Sequence, residues 1–163
     1  MQGPFFLSLQ QQAEAEGKIC VVGALILDRQ GRIFAQRRSM SRRLFPGCWD
    51  MVGGHVETGE TLLDALRREI QEETGWTLAS VVSLIAISDW NVDGWHREFD
   101  FYVEVEGDLT HPELEWNKHT EYRWLSASEL AILEENRRPA YPGWQDIARK
   151  AIDAWESRRK EQA

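Results

Sequence analysis

The chain has 163 residues, 42% of them hydrophobic, which suits one ordinary core and is too short for two large domains. Its 27 acidic residues outnumber 19 basic ones, and the net charge of −8 argues against non-specific binding to nucleic acid or to an anionic membrane. No apolar run approaches the roughly 18 residues of a membrane span, and the N-terminus lacks the basic region of a signal peptide. A soluble, cytoplasmic protein is therefore expected.

The first segment, residues 1–17, has few core-forming positions after Phe6, which favours an N-terminal arm or a marginal helix. Residues 18–163 are then expected to form a single domain. This domain opens with KICVVGALILDRQGRIFAQRRS, two β-rich runs separated by turn residues around Gly31. The pattern predicts a hairpin of two adjacent strands. Cys20, in the first run, and Cys48 are expected to be buried thiols in a reducing compartment.

The rest of the chain alternates strand and helix patterns. SRRLFPGCWDMVGG predicts a loop and a short strand, and strands are expected at TLASVVSLIAISDW, REFDFYVEVEG and YRWLS. Ser126 or Ser128 is placed to cap a helix at ASELAILEEN, and PGWQDIARKAIDAWESRRKEQA predicts a last amphipathic helix. This order predicts an α/β (α+β) fold in which a mixed sheet is covered by helices.

One helical stretch, GHVETGETLLDALRREIQEETGW from Gly54 to Trp76, carries three carboxylates at close spacing. With Leu62 at zero and about 100° per residue, Glu69 and Glu73 fall near −20° and +20°, beside the apolar stripe, and Glu72 falls near −80°. A solvated acidic face, the simpler explanation, therefore fits this helix poorly.

The like charges repel one another, so something should offset the repulsion. A hard divalent cation binds carboxylate oxygens, and one helical turn can present three of them to one or two ions. Because no Cys or His is interleaved with them, magnesium or manganese is favoured over zinc. The stretch predicts a metal site.

The same stretch resembles the Nudix box, the signature of the Nudix hydrolase superfamily (MutT-like). The matched positions are Gly54, Glu60, Arg68, Glu69, Ile70, Gln71, Glu72, Glu73, Thr74 and Gly75. Trp76 departs from the pattern, which usually has an aliphatic residue there, and this is expected to be a packing variation. The flanks PGCWDMVGGHVE and HTEYRWLSASEL also resemble the family. The resemblance implies the Nudix fold, an α/β/α sandwich.

For the chemistry, the resemblance implies hydrolysis of a nucleoside diphosphate linked to a moiety X, by water attack on phosphorus with Mg²⁺ as cofactor. Mn²⁺ is a plausible substitute. The metal ligands implied are Glu69, Glu72 and Glu73, with the carbonyl of Gly53 as a candidate additional ligand. Glu57, in the loop before the helix, is a further candidate metal contact, although negative charge there also suits the helix N-terminus. Arg68 matches the arginine that orients a neighbouring carboxylate. A surface cation on the polar side of the helix is the alternative for Arg68.

The general base is not given by the motif. Family members with a base in the loop before the late strand direct attention to EWNKHTEYRW, which offers His119 and Glu121. Asn117 stands where some relatives carry an acidic residue. An ordinary loop histidine, a metal-binding Glu121 and a box glutamate acting through the metal are the alternatives.

Candidate substrate contacts are less specific. QRRSMSRR supplies Arg37 and Arg38, with two further arginines that a solvated loop explains equally well. Trp49 is a candidate for stacking on a base, and His96 and Arg97 are polar candidates in the variable-looking segment DWNVDGWHREFDF.

Two functions of different classes follow. The first is a magnesium-dependent pyrophosphohydrolase acting on a nucleoside triphosphate, oxidised forms included, or on a nucleotide sugar or ADP-ribose. The second is a Nudix domain retained as a ligand sensor or regulatory module. The intact set of Glu69, Glu72, Glu73 and Arg68 favours the enzyme. The expected partner is a small nucleotide, with neither nucleic acid nor membrane, and a homodimer is left open.

Overall fold

The protein was described from a computed structural model, which covers residues 3–137 and 143–163. Three α-helices, seven strands and one 3-10 helix occur in these ranges. In chain order they are α1 (Gly3–Ala15), β1 (Ile19–Ile26), β2 (Ile33–Arg38), β3 (Trp49–Asp50), β4 (Val52–His55), α2 (Leu62–Thr74), β5 (Thr77–Asn91), β6 (Trp95–Glu106), β7 (His119–Leu125), the 3-10 helix (Ala127–Glu134) and α3 (Trp144–Glu161).

The strands form two sheets. The larger has the order β4-β1-β6-β5, with β1 and β6 parallel and the other pairs antiparallel, and the smaller has the order β3-β2-β7. A mixed sheet flanked by helices confirms the predicted fold class, and the strand predictions at TLASVVSLIAISDW and REFDFYVEVEG are confirmed as β5 and β6.

The predicted hairpin of two adjacent strands is wrong. β1 and β2 belong to different sheets, and their ends are joined by the isolated bridge between Leu27 and Ile33 and by the Asp28 N–H, which donates to the Arg32 carbonyl. β1 is instead hydrogen-bonded on both sides, by β4 and β6. The turn between the two runs was recognisable, but both runs find longer-range partners that no local pattern specifies.

Two hydrophobic cores lie on opposite sides of the larger sheet. One joins α1 and α2 to the sheet, and the other joins α3 and the 3-10 helix to Leu25 of β1. Both cysteines are buried and free, as predicted. No helix in the described ranges is long and apolar enough to cross a bilayer.

The segment expected to be an arm or a marginal helix is a helix packed on the domain. Phe6 and Ala13 of α1 are buried in the first core, and the Phe6 ring lies 5.4 Å from that of Phe101, centroid to centroid. The two apolar positions share one face of the helix, and Gln10 between them donates to the Glu60 carbonyl and accepts from the Leu62 N–H.

Helix α2 has clear boundaries. Thr61 caps its N-terminus: the Asp64 N–H donates to the Thr61 hydroxyl at 3.0 Å, and the Thr61 N–H donates to the Asp64 carboxylate at 3.1 Å. Gly75 ends it in the left-handed region at φ 78°. The late segment expected to be a helix is a 3-10 helix, with the Ser126 N–H donating to Glu129. Pro142, expected before α3, lies outside the described residues.

Candidate active site

Glu73 is the most deeply buried carboxylate of α2, with 3% of its surface exposed. Its Oε1 accepts a 2.6 Å hydrogen bond from the Gln36 amide on β2, and its Oε2 accepts a 3.0 Å bond from the Gly53 N–H on β4. These two bonds fix the carboxylate against both sheets. As its angular position predicts, Glu73 faces inward with the apolar stripe.

Glu69 lies one turn earlier and beside Glu73. Burial, Glu69 and then Asp50 raise the pKa of Glu73 well above its usual value. The Glu69 side chain is 13% exposed, whereas that of Glu72 is 44% exposed. The structure therefore brings two of the three predicted metal ligands into the interior and leaves the third at the rim.

Arg68 is the centre of an ion-pair network rather than a free surface cation. It donates two hydrogen bonds to Glu60, at 2.7 and 2.8 Å, and one of 2.8 Å to Glu69. It also reaches Glu72 at 3.3 Å and the His55 carbonyl at 3.1 Å. These acidic partners raise the Arg68 pKa above its ordinary value. The planar guanidinium thus positions Glu69 while Glu60 holds the arginine in place.

Two glycines of β4 allow close approaches on different sides. A side chain at Gly53 would overlap the Val22 carbonyl of β1, and a Cβ at Gly54 would lie 2.5 Å from Glu69 Oε1. Gly53 therefore lets β4 lie close to the β1 backbone, and Gly54 leaves room for the Glu69 carboxylate.

A cavity of about 220 Å³ opens in front of these carboxylates. It combines acidic groups with cations that can bind phosphate. Its lining residues are Arg38, Arg42, Asp50, Gly53, Gly54, His55, Glu57, Glu69, Glu73, Glu115, Lys118 and His119. Glu57 stands at the mouth, 3.8 Å from Arg68, with a largely exposed side chain.

His119 and Asp50 face each other in this cavity, both buried. His119 Nε2 lies 3.4 Å from Asp50 Oδ1, and His119 Nδ1 lies 3.9 Å from Glu73 Oε1. Neither ring nitrogen has a regular hydrogen bond within residues 3–137 and 143–163. Burial would raise the pKa of Asp50, but His119 and Arg38 hold it below its usual value. The buried setting distinguishes His119 from an ordinary loop histidine.

Glu121, Arg37 and Trp49 are not brought to this cavity. Arg37 pairs with Glu121 across β2 and β7 at 3.0 Å, and Trp49 is opposite Arg37 on β3. Because side chains alternate along a strand, this set lies on the face opposite Gln36 and Arg38. Trp49 is buried in the second core.

His96 and Arg97 lie on opposite faces of β6. His96 is buried, stacks on Trp90 with 4.0 Å between centroids, and lies 3.1 Å from His55, whose pKa burial and His96 lower. Arg97 binds Asp89 and Glu16 away from the cavity. His96 thus reaches the site only through His55.

Sequence reasoning missed Asp50 and Gln36, and it left Arg42 undecided. Asp50 and Gln36 are buried polar residues on strands, a signal visible only once the strands are placed. Arg42 lines the cavity, and its Nη1 has no hydrogen-bond partner in the described part of the chain. Arg43, in the same QRRSMSRR cluster, instead pairs with Asp93 on the surface.

The residues present fit a hard divalent cation by donor type. The fit rests on two carboxylates crowded at one buried point, where a cation would relieve their repulsion. No preformed cage exists: within the described ranges, no three acidic, histidine or cysteine side chains converge on one metal-binding point. Arg68 lies between Glu69 and Glu72.

Comparison with known proteins gives matches of sequence and of fold. An uncharacterized Nudix hydrolase of Nostoc sp. is 33% identical over 125 residues, covering 74% of this chain and 71% of that protein. A nucleoside triphosphatase, NudI, of Escherichia fergusonii is 28% identical over 123 residues, covering 68% and 84%. The crystal structure of a MutT protein from Methanosarcina mazei superposes with a TM-score of 0.66 at 25% identity, covering 85% of this chain and 95% of that one.

Three other curated relatives are matched over only 29%, 24% and 33% of their lengths. What those proteins do as wholes is therefore not carried over. The NUDIX domain family model matches residues 18–144, most of the chain. Together with the Nostoc relative and the fold, this match shows that the chain belongs to the Nudix hydrolase family, the enzymes that the box at Gly54–Trp76 resembles.

Proposed function

We propose that this protein is a magnesium-dependent pyrophosphohydrolase that cleaves a nucleoside diphosphate linked to X. The observation that carries the proposal is the pair formed by the buried Glu73 and the largely shielded Glu69 on one wall of a cavity that also contains cations. A site of carboxylates alone would repel a phosphate chain, and a site that bound phosphate through cations alone would not require the two glutamates. Their combination suits a substrate that arrives with a divalent ion.

A bound Mg²⁺ would be held by Glu69 and Glu73, with Glu72, Glu57 and the Gly53 carbonyl as further candidates, and would neutralise charge developing on the phosphoryl oxygens. Arg38, Arg42 and Lys118 line the same cavity and bind phosphate oxygens in this proposal. Arg38 is fixed by Asp50 at 3.0 Å.

His119 is the proposed general base. It lies between Asp50 and Glu73, so the two carboxylates stabilise the imidazolium that forms when it accepts the proton of the attacking water. Glu121, the other candidate, is committed to Arg37 on the opposite face. Arg68 positions Glu69 and takes no part in the proton transfer.

Among substrates, a nucleoside triphosphate ranks first, because the similar Escherichia fergusonii protein carries the name nucleoside triphosphatase. Nucleotide sugars and ADP-ribose rank second. A sensor module is disfavoured, because it would not need the paired buried glutamates. Assembly as a homodimer and a cytoplasmic location stay predictions.

The test is a substrate panel. Purified protein is incubated with nucleoside triphosphates, 8-oxidised triphosphates, nucleotide sugars, ADP-ribose and dinucleotides, with Mg²⁺, with Mn²⁺ or with EDTA. We expect metal-dependent release of products cleaved within the pyrophosphate linkage for at least one class. If no compound in the panel is hydrolysed, the hypothesis of a ligand sensor would replace that of an enzyme.

A further inference from the structure

A second cavity, of about 160 Å³, adjoins the first and shares Arg38, Asp50 and His55 with it. It is smaller than the roughly 300–1,000 Å³ of a site for a drug-sized ligand, so it suits one ring system rather than a whole nucleotide. Its own walls include Val21, Val52, Phe45, Trp90, Glu98 and Trp144. A ring bound here would place its attached phosphates in the first cavity.

The floor of the second cavity carries a carboxylate that the proposed reaction does not use. Glu98 on β6 is only 4% exposed, and its Oε2 has no hydrogen-bond partner among the described residues. A buried acceptor without a hydrogen bond destabilises the fold, and a ligand that donates to it would offset that cost. Oε2 is therefore the Glu98 atom with which a ligand bound in this cavity could pair.

Asp100 lies two residues along the same face of β6 and interacts with Glu98. Asp100 is fully buried against Gly23, where a side chain on that glycine would overlap its Oδ1. Burial raises the pKa of both carboxyls, and the pKa of Asp100 is raised further, with Glu98 as its next cause. Two such carboxyls favour sharing one proton, and a proton on Asp100 leaves the Glu98 oxygens as acceptors.

The two tryptophans supply flat apolar walls. Trp90 and Trp144 are both buried, line the cavity, and have indole N–H groups without a partner in the described part of the chain. Trp90 is held by its stack on His96. Aromatic walls with one buried acceptor are a fitting environment for a nucleobase edge.

We propose that Glu98 is the specificity-determining residue of a base-binding subsite, where its carboxylate accepts hydrogen bonds from a base of the guanine type. The inference rests on the proposed hydrolysis of a nucleotide and specifies the nucleobase of that substrate. Guanine presents two adjacent N–H donors, at N1 and at the exocyclic N2, which match the two oxygens of a carboxylate. Adenine and cytosine present a donor next to an acceptor, and the acceptor would face the carboxylate.

The test measures binding of nucleoside monophosphates in EDTA by isothermal titration calorimetry, so that it needs neither metal nor turnover. The ligands are GMP, IMP, which lacks only the exocyclic amine, and AMP. The variants are Glu98→Gln, which replaces one acceptor by a donor at almost the same volume, and Glu106→Gln, an exposed glutamate at the end of the same strand. Thermal melts check that both variants fold.

We expect GMP to bind about tenfold or more tightly than IMP or AMP, because each lost charge-assisted hydrogen bond costs about 1.5–3 kcal/mol. Glu98→Gln should remove that preference, and Glu106→Gln should keep it. Equal affinities in the wild type would overturn the inference, as would an unchanged preference in Glu98→Gln.

The two proposals can fail separately. A preference for GMP without hydrolysis of any compound in the substrate panel would leave the base subsite standing and refute the proposed reaction. Hydrolysis of all triphosphates at similar kcat/KM, with no preference among the monophosphates, would refute the base subsite and leave the reaction standing.

Discussion

Arg68→Ala should destabilise the fold and weaken metal-dependent activity together, because one guanidinium holds Glu60, Glu69 and the strand carbonyl of His55. The side chains are 22% exposed for Arg68, 17% for Glu60 and 13% for Glu69, so the network is mostly shielded from water. Its loss leaves two shielded carboxylates without a cation.

The magnitude lies between two known limits. Removing one partner of a fully buried ion pair costs roughly 3–5 kcal/mol, whereas an exposed pair contributes about 0–1 kcal/mol. With partial exposure, we expect a loss of roughly 2–3 kcal/mol. For a protein of this size, that corresponds to a fall in Tm of about 5–10 °C. Misplacement of Glu69 should also raise the Mg²⁺ concentration for half-maximal rate about 10–100-fold.

The assay is thermal unfolding in EDTA, followed by a Mg²⁺ titration of the hydrolysis rate on the substrate that the panel identifies. Arg67→Ala is the matched control, because Arg67 is the preceding residue of α2 and is exposed. Arg68→Lys should keep part of the stability and little of the metal affinity, since an ammonium cannot bind the partners in a planar fork. If Arg68→Ala has the same Tm as Arg67→Ala and the wild type, the Arg68 ion-pair network does not stabilise this site.

The remaining predictions concern the glycines of β4, helix α1 and the general base. Gly53→Ala should destabilise the fold by several kcal/mol in urea unfolding, because the new methyl group meets the Val22 backbone; Gly54→Ala meets only the movable Glu69 carboxylate and should reduce activity far more than stability. Equal stability losses in the two would contradict this geometry. Phe6→Ala should lower the free energy of unfolding by about 3–5 kcal/mol, whereas Phe5→Ala, at an exposed position, should lower it by under about 1 kcal/mol. Similar Tm values for the two variants would mean that the docking of α1 does not stabilise the fold. His119→Gln should lower kcat by about 10²–10⁴-fold with little change in KM, as expected for a lost general base, and Glu121→Gln should not; the reverse order would assign the base to Glu121.

The sequence was sufficient to predict features that depend on neighbouring residues alone, such as which side chains of α2 face inward. The α2 stripe placed Glu69 and Glu73 inward because their angular positions follow from helical pitch alone. The Thr61 cap and the Gly75 stop delimit the same helix. Alternation along β2 also carries the information that Arg38 faces the site and Arg37 does not, and the sequence reading of both arginines as substrate contacts did not use it.

What the sequence did not reveal depends on contacts distant in the chain. Asp50 becomes meaningful only when β7 brings His119 against it, and Glu98 only when β4 and Trp144 close a cavity over β6. The separation of β1 from β2 is of the same kind, because strand partners are chosen by the whole sheet. The box could be recognised in the sequence, whereas the residues proposed to select the substrate could not.

Hydrolysis in ¹⁸O-labelled water with Mg²⁺, by the wild type and by Glu73→Gln, tests both the site of water attack and the metal site. We expect the wild type to place the label on a phosphorus of the cleaved pyrophosphate, and Glu73→Gln, while still folded, to lose metal-dependent turnover at least about 100-fold. Full turnover in Glu73→Gln, or products carrying no label on phosphorus, would contradict the proposed function.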